Sequence, residues 1–440
     1  MSIEVTISSA RRVVLALTLS STLLWSAAPA LAEGEPPAPA PAPPGKLEER
    51  EKAKPGEKAG SRANVSVYGR AQMIVGIDPQ NEGDVPDTSV APDGASKKEW
   101  NASVQMNSAL GGRFTHPRPI AGFTASGQVL VVQYVRRVFL ISTAGFTLEN
   151  PEAGVKIGVG RFVQPTVNTL SPGVFQFSTS WGNLIHATTG AHVARSFDRL
   201  VVQGGVGRPD FVLTSGPITA SPRAAPRAPF VEGRVAYVDP DIAGELPSGA
   251  AVGPRRGALT LGVSGAYGKQ RVGVGEKAAV VAASPGAVDP LIEDVTSWLL
   301  SAEAIVPLGA LVLAGEWYIG RGANAYIGAV RQRPVVDPMT GRHTALVSRG
   351  GWVQLSYALP RRWTAVALGG LEHVTGGLDD GVPVDGARKI SVNRLLTLSL
   401  SKNFDFGMHA GVQVQQQSTR YVELSAGEMY SVLLESSIDF

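Results

Sequence analysis

Cysteine is absent from the chain. That rules out disulfide staples, zinc–thiolate centres, cysteine nucleophiles and an acylated lipoprotein N-terminus. Charge is sparse: Asp, Glu, Lys and Arg make up 18% of the residues against 44% hydrophobic, and the two signs nearly cancel, at a formal +3. A nucleic-acid binder shows a concentrated basic excess, which this chain lacks. The histidines (His116, His186, His192, His343, His373, His409) are scattered, and the spacing of His186 and His192 does not place two metal ligands on one helix face. Gly273-Val274-Gly275-Glu276-Lys277 is followed by no helical pattern, so it is not a phosphate cradle. A Ser–His hydrolase built into a barrel wall would need both groups on a lipid-facing ridge, and His409 falls on a polar face beside Gly407 and Gly411. No catalytic group, cofactor or metal is expected. Beyond residue 32 no apolar run is long enough for a membrane helix. A membrane-embedded version of this chain must therefore be a closed barrel, because open strand edges cannot face lipid.

What is present agrees. Glycine is abundant, at 51 residues, and glycine is costly in helices but common where strands bend and turn. Residues 1–32 read as a secretory signal, with Arg11 and Arg12 ahead of the apolar run Val13 to Trp25 and Ala30-Leu31-Ala32 as cleavage site. Its loss removes Arg11, Arg12 and Glu4, that is two positive charges and one negative, and leaves +2. Residues 33–63 form a linker, first Pro/Ala-rich and then dense in Lys and Glu. It reads as a disordered periplasmic spacer, with peptidoglycan contact as the other use of such a segment.

From Asn64 the pattern has period two. Val65, Val67, Gly69, Ala71, Met73, Val75 and Ile77 alternate with Ser66, Tyr68, Arg70, Gln72 and Asp78. One face is apolar and the other wet over a length that crosses a bilayer. The rule recurs with Trp100, Ala102, Val104 and Met106; with Leu261, Val263 and Tyr267; with Trp298, Leu300 and Ala302; with Val353, Leu355 and Tyr357; and from Phe404 to Val414. Tight connections (Pro307-Leu308-Gly309, Pro360-Arg361-Arg362, Lys402-Asn403) alternate with long ones at 78–98, 269–294, 321–344 and 375–388. The predicted fold is all-β: a transmembrane antiparallel up-and-down barrel over 64–440, with about 16 strands, an even number as bacterial barrels require. The stretch 207–230 is the hardest part of that count. Barrels of this size leave an aqueous lumen. Trp100, Trp298, Trp317, Trp352, Trp363 and Tyr430 are placed near strand ends, where interfacial aromatic girdles form.

The last strand puts Tyr430, Val432, Leu434, Ile438 and Phe440 on the apolar face. An aromatic final residue after such alternation resembles the signature that the barrel-assembly machinery reads. Val67-Tyr68-Gly69-Arg70-Ala71-Gln72 resembles the first strand of trimeric porins. Val155-Lys156-Ile157-Gly158-Val159-Gly160-Arg161-Phe162 resembles the strand before a porin constriction loop. Gly315-Glu316-Trp317-Tyr318-Ile319-Gly320-Arg321 and Gly350-Gly351-Trp352-Val353-Gln354-Leu355-Ser356-Tyr357 are similar to segments of DcaP-like porins. The resemblance implies a homotrimer in the bacterial outer membrane that passes small hydrophilic solutes passively, with lipid and the assembly machinery as partners.

A porin needs a water-filled lumen and a ring of charge. Arg70, Gln72, Lys156 and Arg234 fall on the wet face of their strands, and Arg136, Arg195 and Arg199 lie nearby with ambiguous parity. Glu232 and Glu303, with Glu316, could form the opposing wall. Two uses are open: a basic constriction that favours anions, or salt bridges that brace the wall. Residues 163–190, with Gln164, Asn168, Gln176, Trp181 and Asn183, are the candidate constriction loop; an extracellular subunit contact is the other reading. Two further functions stay in play. One is a structural barrel, an envelope anchor or adhesin with a plugged lumen. The other is a secreted soluble β-protein.

Overall fold

The computed structural model describes residues 64–80, 99–134, 138–163, 184, 187–210, 229–246, 255–273, 280, 284–323, 334–383, 389–404 and 407–439. The expected signal and linker, Arg136 and Phe440 lie outside them, as do all five candidate loop residues: Gln164, Asn168, Gln176, Trp181 and Asn183.

The strands are β1 (Asn64–Gln80), β2 (Glu99–Thr115), β3 (Thr124–Tyr134), β4 (Val138–Asn150), β5 (Val155–Val163), β6 (Ala187–Phe197) and β7 (Leu200–Asp210). They continue as β8 (Phe230–Leu246), β9 (Arg255–Val272), β10 (Glu293–Leu308), β11 (Leu311–Arg321), β12 (Val335–Val336) and β13 (His343–Thr344). The series ends with β14 (Val347–Leu359), β15 (Trp363–Gly376), β16 (Val382–Pro383), β17 (Ile390–Asn403), β18 (Met408–Tyr421) and β19 (Gly427–Asp439). All but β12, β13 and β16 close into one 16-strand antiparallel barrel in which each strand pairs with its chain neighbours and β19 returns to β1. Closure removes every edge, the condition for crossing lipid as a sheet.

The period-two pattern explains the two faces. Val67, Phe146 and Leu398 point outward and are 69%, 72% and 57% exposed, while Thr397 and Gln417 point inward and are fully buried. Water-soluble sheets place these types the other way round. A soluble β-protein, the third reading, has no covering sheet for this outer face among the described residues.

Alternate connections fall at the same end of an up-and-down barrel. Short ones join β4 to β5, β6 to β7, β10 to β11, β14 to β15 and β17 to β18. Long ones join β9 to β10, β11 to β14 and β15 to β17 at the opposite end. In the Pro360-Arg361-Arg362 turn both arginines take positive φ, 60° and 62°, which suits the twist of a hairpin. The strand expected to begin at Phe404 is corrected: Phe404 and Gly407 belong to the turn, and β18 starts at Met408.

Glycine has a spatial use inside the barrel. A Cβ on Gly111 would sit 2.5 Å from the Tyr68 ring, and one on Gly268 would sit 2.5 Å from the Phe230 ring. Large inner side chains lie flat over these glycines on the neighbouring strand, an arrangement that supports strand pairing without filling the lumen.

The described parts of two long connections carry short strands of their own. β12, β13 and β16 form a small sheet. Its hairpin turns on Asp337, which accepts hydrogen bonds from the Met339 amide (2.8 Å) and the Thr340 hydroxyl (2.6 Å). These bonds, the Thr340 hydroxyl first, hold the Asp337 carboxyl below its ordinary pKa. Val335 and Leu346 pack on Val374 and Tyr421, which lie on the inner face of β15 and β18 at this end. The loops therefore fold inward over the rim of the β15–β18 wall, and the His343 amide ties them to Glu293 of β10 (2.6 Å).

Candidate functional site

The site is the inner wall. Its most tightly knit part spans β7 to β11. Arg234 points inward from β8 and is buried. It donates through Nε to Glu303 Oε1 of β10 (2.7 Å), again through Nη2 to the same oxygen, and through Nη1 to Gln203 Oε1 of β7 (2.7 Å). Glu303 lies directly across from Glu316 in the β10–β11 register. Two carboxylates facing each other repel, so the Arg234 guanidinium holds this row together. Glu232, two residues before Arg234, accepts from the Thr188 hydroxyl (3.1 Å).

Glu316 has a second use. Its Oε1 accepts the backbone amide of Leu184 at 2.7 Å. Leu184 belongs to the connection between β5 and β6, yet it is fully buried against Phe230, Ala266, Leu299, Tyr318 and Ala323 on β8 to β11 and just beyond. Leu184 thus lies inside the barrel, docked on the inner wall at β8 to β11. This is where residues 163–190 were expected to fold inward, and Leu184 is the part of that stretch that can be placed.

Arg70 and Gln72 close the seam. Arg70 forms a two-pronged ion pair with Asp439 (2.6 and 3.0 Å), and Gln72 donates to Glu435 (2.7 Å), so the first strand is stitched to the last. Lys156 lies on the inner-face parity of β5, is exposed, and has no carboxylate within salt-bridge distance among the described residues.

Two candidate wall residues lie elsewhere. Arg195 shares the outer face of β6 with Val193 and Phe197, and its guanidinium sits 4.6 Å from the Phe197 ring centre. At a strand end a long cationic side chain reaches the polar rim over an apolar stem, so it can belong to the lipid side. Arg199 is in the β6–β7 turn, bound to Asp239 (2.7 Å) and Asp241 (3.0 Å). The hydrogen bond to Tyr237, then the Asp239 charge, raise its pKa further above the ordinary arginine value.

The wall from β14 to β19 is polar and uncharged over much of its area. Gln354, Ser356, Thr397, Ser399, Gln413, Gln415, Gln417 and Ser431 are all buried there. Trp352 joins them: it faces inward from β14 and is not part of an interfacial girdle. Its Nε1, Thr397 Oγ1, both Gln417 amide atoms and Ser431 Oγ have no hydrogen-bond partner among the described residues. Tyr318 and Glu372, bonded at 2.8 Å, were also not anticipated as wall residues. The parity signal was available for Trp352, Tyr318 and Glu372, each out of phase with apolar neighbours; none was available for Leu184. His409 contacts Glu435 (3.4 Å) and lies opposite Ser437, but Ser437 Oγ makes no hydrogen bond.

No protein-family model and no curated protein matches the sequence. Solved structures do match. The outer membrane channel DcaP of Acinetobacter baumannii is 14% identical, with a TM-score of 0.63, over 86% of this chain and 97% of that one. OprB of Pseudomonas putida is 10% identical, with a TM-score of 0.55, over 86% and 94%. The fold is that of the outer-membrane porins. An anion-selective porin from Comamonas acidovorans also matches, 14% identical with a TM-score of 0.50, over 86% of this chain and all of that one. Leu184 and the charged row from Gln203 to Glu316 lie on the inner side of this barrel.

Proposed function

We propose that this chain is an outer-membrane porin, not an enzyme, that lets small hydrophilic solutes diffuse passively through its lumen. The observation that carries the reading is the inverted polarity of the closed barrel: exposed Val, Leu and Phe outside, buried amides, hydroxyls and ion pairs inside. The inward-facing amides and hydroxyls of β14 to β19 give such a lumen a polar lining. Leu184 inside the barrel supports a constriction loop at 163–190. In this reading residues 1–32 are the signal, 33–63 a periplasmic linker, and Tyr430, Ile438 and Phe440 the assembly signal. The protein assembles as a homotrimer like other porins.

The test is single-channel conductance of the mature protein, refolded and inserted into a planar bilayer. Stepwise open currents support the porin. A folded barrel that passes no current would transfer the case to the structural alternative.

Ion pairing divides the selectivity question. Arg70 and Arg234 are bonded to Asp439 and Glu303, so they brace the wall, and we assign the solute-facing positive charge to Lys156. Lys156→Glu should move the zero-current potential under a salt gradient toward cation preference while leaving the folded barrel intact. An unchanged potential would remove Lys156 from the lumen's field.

A further inference from the structure

The outer face carries a feature that conduction does not use. Arg321 on β11, Arg349 on β14, Arg394 on β17 and Arg420 on β18 all point outward and are exposed, within a few residues of the long-connection end of their strands. His373 of β15 fills the gap, paired with Arg349 in the strand register. These are neighbouring strands, so the arc is about 20 Å long at the usual strand spacing. Among the described residues no carboxylate lies within ion-pair distance of the four arginines. At the opposite rim Arg199 is held by Asp239 and Asp241.

The height of the arc matters as much as its charge. Below Arg394 the outer face of β17 shows Leu396, Leu398 and Leu400, and then Lys402, whose ammonium lies 5.5 Å from the Trp363 ring centre. From Arg394 to Lys402 is about 26 Å along the strand, or about 20 Å along the membrane normal at the usual tilt, close to the height of an outer-membrane apolar band. The arginines therefore sit at headgroup level, on the side of the long connections, which is the outward side of bacterial barrels. Guanidinium groups suit phosphate because they present paired donors. One phosphate would occupy one or two of them, and four lie in a row.

We infer that this arc seats a lipid of the outward leaflet that carries more than one phosphate. The inference rests on the membrane placement of the barrel and not on its conductance. It is tested with the full mature protein in a neutral detergent by native mass spectrometry, titrating a disaccharide lipid that bears two phosphates, the same lipid dephosphorylated, phosphatidylglycerol and inorganic phosphate. The two-phosphate lipid should bind tightest. The combined variant Arg321→Gln, Arg349→Gln, Arg394→Gln, Arg420→Gln should lose affinity on the order of 100-fold, from a few-fold per cation. Arg195→Gln with Arg199→Gln at the other rim should leave binding unchanged, and the four-site variant should keep its single-channel conductance. Equal binding by that variant, by the dephosphorylated lipid or by phosphatidylglycerol would overturn the inference, as would full competition by millimolar inorganic phosphate.

Discussion

Replacing Arg234 by leucine should destabilise the barrel by about 3–5 kcal/mol, the usual cost of leaving one member of a buried ion pair without the other. Both side chains are almost wholly out of solvent, at 6% for Arg234 and 3% for Glu303, so water cannot take over the lost contacts. The register makes the site less forgiving still. Glu303 faces Glu316, and without the guanidinium two carboxylates on adjacent strands share one row of the wall. Gln203 also loses the donor that fixes its side chain. Unfolding in denaturant, followed by the electrophoretic shift between folded and unfolded barrel, measures the loss. The double replacement Arg234→Leu, Glu303→Leu separates the pair from the packing, because exchanging both partners for apolar groups is often near neutral. If the single variant is as stable as the parent, the pair is not what holds β8 to β10.

The fold was legible because a membrane barrel writes itself in the simplest periodicity. Val65 to Ile77 alternates without a break, and β1 is one continuous strand over that range. The wall residues were legible where the two faces differ in chemistry: Arg70, Gln72, Glu303 and Arg234 each sit between apolar neighbours, and each faces inward. Parity failed where both faces are small. In β6 the inner set Thr188, Gly190, His192 and Ala194 and the outer set Thr189, Ala191 and Val193 barely differ, so Arg195 could not be assigned. Trp352 was misplaced for another reason. Its phase with Gln354 and Ser356 puts it inside, whereas its residue type points to the lipid interface, and phase decides. The partners of these side chains are decided by register between distant strands, and no local pattern carries that. Arg70 meets Asp439 across nearly the whole chain.

Leu184→Asp should enlarge the pore. Leu184 is anchored by burial among Phe230, Leu299 and Tyr318 and by its amide bond to Glu316. Truncating such a leucine costs about 2–5 kcal/mol from lost packing alone. A carboxylate in its place adds the cost of burying charge, beside a Glu316 that already occupies the pocket. The barrel wall does not depend on this contact, since every strand keeps both neighbours, so the cost falls on the docking of the connection and not on closure. The connection then leaves the wall, and the unitary current rises while the folded barrel keeps its electrophoretic mobility. Glu316→Gln is the milder companion: it keeps an acceptor for the Leu184 amide and relieves the repulsion from Glu303, so the current should stay near the parent value. A Leu184→Asp channel with unchanged conductance would mean that the segment after β5 does not limit flow, and the narrowest point would then lie under the inward-folded loops at Val335 and Leu346.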